Sequence, residues 1–296
     1  LLLQERERTG RVCLGGFYLK RGFRIVPAYL VLLAYGLLAG WPNGEAVWRN
    51  LLFVNNLGPP EDSFLTWTWS IAVEVHFYLV LPLVFLALKG SPARLAVVGC
   101  AALAAVAATR HGLLAQDPAL YQAPFFELLD RADLRQRWLD TLYLDSWVRA
   151  APLLVGVLVA VIHFSVSGRA RAGRAALAWG GLALAGAMAS VPYLDPGSWY
   201  GNGFDAEANL WYLAHGRTLF AIGVGMVLYT VVSPGGGAGV LARALGSRWL
   251  RPVARASYSM YLFHIPILVV LSDLILGPAG AARGAPHWAG LVAVGV

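Results

Sequence analysis

Ser70, Glu74 and Tyr78 recur at intervals of four within the apolar run 66–82, and on a helix they share one face. A carboxylate deep in a bilayer costs on the order of 2.5–3.5 kcal/mol on insertion scales, so it marks either a site or a buried polar pairing. Glu74 could orient a catalytic histidine, stabilise its imidazolium, or act as a base itself. The structural alternative is a helix–helix contact in which Glu74 holds a basic residue from elsewhere. His76 lies two residues on and points away from the shared face.

Three other stretches carry candidate chemistry. Arg21 and Arg24 stand at i, i+3 at a basic helix start, where forked guanidiniums suit phosphates or lipid headgroups alike. Asp145 and Arg149 stand at i, i+4, either as a surface salt bridge or with Arg149 turned to a cavity, supporting an oxyanion or pairing with Glu74. Ser257, Tyr261 and His264 share a helical face, with Tyr258 beside Ser257. Pro266 should free the carbonyl of Leu262 and kink the helix beside His264. An intramembrane histidine of this kind is either functional or a satisfied structural residue.

The elements that must hold these residues follow from composition. The 296 residues are 58% hydrophobic and 13% charged, with a mean hydropathy of +0.61. A soluble domain carries about 25% charged residues, so this is an integral membrane protein. The net charge of +7 is dispersed into short runs at span ends, which fits membrane lipid and excludes a nucleic-acid partner. Cys13 and Cys100 have no metal spacing and support no disulfide framework, so no metal is expected. Cys100, inside an apolar run, reads as a small core residue.

Spans are expected at residues 25–41, 66–82, 95–109, 150–164, 175–191, 218–232 and 257–276, with an unfinished one from 288. Loops alternate between basic and neutral or acidic, including Arg169 and Arg171 on one side and the acidic, aromatic stretch 195–212 on the other. That bias puts the N-terminus in the cytoplasm. The polar segment 110–149 should carry a short surface helix near 126–142. The outer aromatics, Trp199 to Tyr212 among them, read as an interface belt that could also stack a sugar. The expected fold is all-α, a polytopic transmembrane helix bundle of about eight spans forming one domain over residues 1–296. Both ends read as cut.

The run W-S-x-x-V-E-x-x-F-Y-L, from Trp69 through Glu74 to Leu79, resembles a signature of the acyltransferase-3 family. These are polytopic bacterial proteins that acylate cell-surface sugars and some secreted small molecules. Three further segments resemble the family in its order: F-Y-x-[KR]-R-x-x-R-I-x-P-x-Y from Phe17, Y-x-D-x-x-x-R-x-x-x-L-x-x-G from Tyr143, and S-Y-x-x-Y-L-x-H-x-P from Ser257. The resemblance implies an acyl-CoA donor, expected to be acetyl-CoA, and a hydroxyl of a sugar or glycosylated acceptor across the bacterial inner (cytoplasmic) membrane. It implies that Arg21 and Arg24 grip CoA, that Glu74 supports the base, and that Arg149, Tyr258 and His264 line the cavity.

The family resembled has ten helices, of which those read here would be the third to the tenth. The Arg/Lys-x10-His and S-G-F segments of its first two helices have no counterpart in the sequence. His76 and His264 occupy other motifs. The chain is therefore expected to be an incomplete, inactive piece of such an enzyme. The competing readings are a transporter or flippase, with Glu74, His264 and the arginines as its path, and a non-catalytic remnant.

Overall fold

The computed structural model describes residues 1–166, 173–194, 204–233 and 239–294. Arg169 and Arg171, the glycine-rich stretch 234–238, and Asp195, Trp199 and Tyr200 of the expected aromatic loop lie outside them. Among the described residues the chain is helical, with no strand. The apolar runs form α1 (Leu14–Leu38), α2 (Trp69–Ala87), α3 (Pro92–Gln116), α4 (Ala151–Val166), α5 (Arg174–Leu194), α6 (Arg217–Val232) and α7 (Arg251–Val294).

Six described helical stretches are long and apolar enough to cross a membrane, and α4 is a shorter apolar helix. Only 17% of the most apolar window of α3 is buried within the protein. Surface of that kind belongs against hydrocarbon rather than water, so the protein is membrane-embedded.

Local sequence explains where the helices stop. Ser91 caps α3 by accepting from the Arg94 amide at 3.5 Å, with Pro92 in the first turn. Past the end of α1, Gly40 adopts φ 67°, and Trp41 N donates back to Gly36 O at 3.0 Å. That left-handed turn is open to glycine at little cost.

Four expectations change. The first span starts earlier than residue 25, because α1 begins at Leu14, so Arg21 and Arg24 ride on the element that carries the apolar run. The expected surface helix is broken into Phe125–Asp130, Ala132–Trp138 and a π turn at Leu139–Tyr143. One side of it packs inward, with Leu134, Trp138, Leu142 and Tyr143 buried, while Glu127, Asp133, Arg137 and Asp140 stay exposed. Residues 288–294 continue α7 without a break rather than starting an eighth span. Cys100 is exposed, since an apolar helix facing lipid has no need to turn its small residues inward.

The chain divides into two compact units, Leu1–Val12 with Leu79–Gly246, and Cys13–Tyr78 with Ser247–Val296. In the first, α3 packs on α4, and α4 and α5 both pack on α6. The α5–α6 contact is backbone-close: a Cβ on Gly181 would meet Gly223 O at 2.6 Å, and one on Gly223 would meet Gly181 O at 2.7 Å. In the second, α7 packs against α1 and the turn Thr66–Thr68. Its core comprises Ile25, Tyr29, Leu32, Leu33, Phe64, Leu65, Ile71 and Leu262.

Candidate functional site

The second unit gathers three of the four motif segments. Tyr78 donates to Glu74 Oε1 one turn away on α2, and Arg21 Nη1 donates to the Tyr78 oxygen at 3.2 Å. The Arg21 guanidinium also lies over the Tyr78 ring, 4.6 Å from its centroid, a cation–π contact. Arg21 therefore reaches the carboxylate through a phenol rather than directly. The second oxygen of Glu74 has no hydrogen-bond partner among the described residues. Arg24 is exposed, within electrostatic reach of Tyr78.

The α7 motif joins this centre through tyrosines. Tyr258 donates to the Ile25 carbonyl at 2.9 Å and lies within electrostatic reach of Glu74. The Tyr261 hydroxyl bonds Ser70 Oγ at 2.7 Å and donates to the Trp67 carbonyl. Trp67 Nε1 donates to Leu262 O at 3.1 Å, the carbonyl that Pro266 leaves without a helix donor. His264 Nδ1 meets the Tyr261 carbonyl. A carbonyl only accepts, so Nδ1 is the donor in this contact. This is how a satisfied histidine looks, and it still leaves one nitrogen for chemistry.

A buried polar knot that sequence reasoning missed holds the same unit. Asn50 Nδ2 donates to Tyr29 Oη and to Thr68 Oγ1, each at 3.1 Å, and to Leu65 O at 3.3 Å. Asn55 Nδ2 adds bonds to Leu65 O and Thr68 Oγ1. Asn50 lies in the short helix Val47–Leu51 and Asn55 in the turn after it, and nothing local in the sequence marks either as buried.

Arg149 belongs to the other unit, in a different setting. Asp145 Oδ1 accepts from the Val148 amide at 2.8 Å and so caps the turn before α4. The Arg149 guanidinium lies over the Tyr143 ring, 4.3 Å from its centroid. Arg217, at the start of α6, stands 5.4 Å from the same ring and donates to Leu142 O at 2.9 Å. Arg110, 1% exposed, donates through Nε to Val148 O at 3.0 Å and through Nη1 to Thr218 Oγ1 at 2.9 Å. Sequence reasoning assigned Arg110 to a polar loop and passed over Arg217. The available signal was their position: with Arg149, they are cations directly flanking apolar runs at the end the loop charges mark as outside.

Tyr212, proposed for a sugar platform, donates its hydroxyl to Met188 O at 3.0 Å. Trp211 is exposed, its ring 5.7 Å from that of His215. Among the described residues no group of three or more His, Cys, Asp or Glu is placed to hold a metal.

The acyltransferase-3 family model, described as an acyltransferase domain, matches residues 1–296. The chain belongs to the acyltransferase-3 family. No curated protein and no solved structure matches it. In this acyltransferase, Arg21, Glu74 and Tyr78, which come from two separate motifs, form one hydrogen-bonded chain. Tyr258 and His264 are tied to the same unit through backbone carbonyls.

Proposed function

We propose that the full-length acyltransferase moves an acyl group, acetyl in the first instance, from cytoplasmic acyl-CoA to a hydroxyl of an extracytoplasmic sugar or glycosylated product. The observation that carries the reading is the Arg21–Tyr78–Glu74 chain, which holds a carboxylate inside an apolar helix with one oxygen open.

Tyr78 gives Glu74 a hydrogen bond, and Arg21 bonds that phenol in turn, so the carboxyl is held in place without a direct ion pair. The open oxygen then either takes the proton of the acceptor hydroxyl or supports an imidazole that takes it. The hydroxyl oxygen attacks the thioester carbonyl carbon, the C–S bond breaks, and the CoA thiolate leaves and takes up the proton. Arg24, exposed on the basic turn, contacts CoA phosphates, with the remaining donors of Arg21 beside it. Tyr258, bonded to the Ile25 carbonyl next to Arg24, and His264 line the cavity. The bacterial inner membrane, with the N-terminal segment cytoplasmic, is the setting that gives the two substrates their sides.

Native membranes carrying the protein, supplied with acyl-labelled CoA, test the reading. Covalent label on an outer-surface glycan supports it. Accumulation of an unmodified substrate in sealed vesicles, with no labelled product, would replace it with transport.

A further inference from the structure

Two guanidiniums meet at one aromatic ring, with a third nearby, in the unit that holds Arg149. Arg149 and Arg217 lie 4.3 and 5.4 Å from the Tyr143 centroid. Arg110 holds the Val148 carbonyl, one residue before Arg149. The three are close enough to repel one another. Among the described residues no carboxylate acts on Arg217 or on Arg110; the charges that reach Arg217 are Arg149 and Arg110, with the Tyr143 and Tyr212 phenols.

Such a cluster is not a set of cations reaching for water. Arg110 is fully buried, and Arg217 is half-buried and tied inward to Leu142 O. Buried charges in proteins are compensated by an opposite charge or a ligand. Arg217 uses one nitrogen on Leu142; its Nε and Nη2 have no hydrogen-bond partner among the described residues and are not sealed from solvent.

We propose that Arg217, Arg149 and Arg110 around Tyr143 form a binding site for a phosphate group. Arg110 sets the turn, Arg110 and Arg149 supply charge, and Arg217 presents the two nitrogens that its bond to Leu142 leaves over. A phosphate offers several oxygens and up to two charges, which suits three guanidiniums better than a singly charged carboxylate. The group can come from a phospholipid headgroup or from a phosphate free in solution. The site stands whether or not acyl transfer is the reaction.

The test uses the full chain purified in a maltoside detergent free of phosphate. Equilibrium dialysis with radiolabelled inorganic phosphate reads the free source, and native mass spectrometry after addition of phosphatidylglycerol reads the headgroup. One saturable phosphate per chain, weakened about tenfold or more by Arg217→Gln and by Arg149→Gln, supports a site for free phosphate. One retained phosphatidylglycerol, lost in the same variants, supports a headgroup site. Arg217→Lys, which keeps the charge, should lie between wild type and Arg217→Gln and guards against misfolding. Absence of both ligands from folded wild type overturns the proposal. So does binding that none of the three substitutions changes.

Discussion

Trp67 donates its indole N–H to the carbonyl of Leu262, across 195 residues of sequence, at 3.1 Å. Proline at 266 has no N–H to give that carbonyl, so the indole fills a place the helix itself cannot. Removing the indole donor by Trp67→Phe should cost about 1–3 kcal/mol, because the carbonyl is left unsatisfied. In a Pro266→Ala background the helix regains its own donor, and Trp67→Phe should cost less. Unfolding of the four proteins in detergent gives the coupling. Equal costs in both backgrounds would mean that the two residues act separately.

Arg110 fastens α3 to the turn before α4 and to α6 through Val148 O and Thr218 Oγ1. Arg110→Ala should lower stability by about 2–4 kcal/mol, since buried acceptors lose a charged donor. Arg110→Lys should recover part of that loss. Thermal unfolding in detergent distinguishes the two.

Gly181 and Gly186 lie on the same helix in opposite circumstances. A Cβ at Gly181 would meet Gly223 O at 2.6 Å, whereas nothing lies within 4 Å of one at Gly186. Gly181→Ala should therefore cost about 1–3 kcal/mol through forced separation of α5 and α6. Gly186→Ala should be neutral or stabilising by a few tenths. Detergent unfolding of the pair is the comparison.

Arg21 and Arg24, three residues apart, should separate kinetically. Arg24 is exposed and Arg21 bonds Tyr78. Arg24→Gln should raise KM for acyl-CoA several-fold with kcat nearly kept. Arg21→Gln should lower kcat as well, since Tyr78 loses its partner. Steady-state transfer in membranes reads both.

Much of the second unit was legible because its signals are local. The i, i+4, i+8 spacing put Ser70, Glu74 and Tyr78 on one face, and there Glu74 and Tyr78 bond each other while Ser70 bonds Tyr261. The proline at 266 announced a freed carbonyl, although not the indole that takes it. The arginine cluster was illegible for the converse reason. Arg110 finds its acceptors 38 and 108 residues away, and an arginine at the edge of an apolar run looks the same whether it faces water or packs inward. Asn50 and Asn55 were hidden likewise, since loop composition says nothing about burial.

The central claim rests on the Glu74 carboxylate, so its exchange for an amide is the most direct measurement. Glu74→Gln keeps the size and the acceptor oxygen for Tyr78 but removes the charge and the base. Transfer of label from acyl-CoA should fall by about a hundredfold or more while the protein stays folded and membrane-inserted. Tyr78→Phe should fall less, by about tenfold, because the carboxylate survives. Transfer at the wild-type rate by folded Glu74→Gln would contradict the account and leave Glu74 a structural contact of α2.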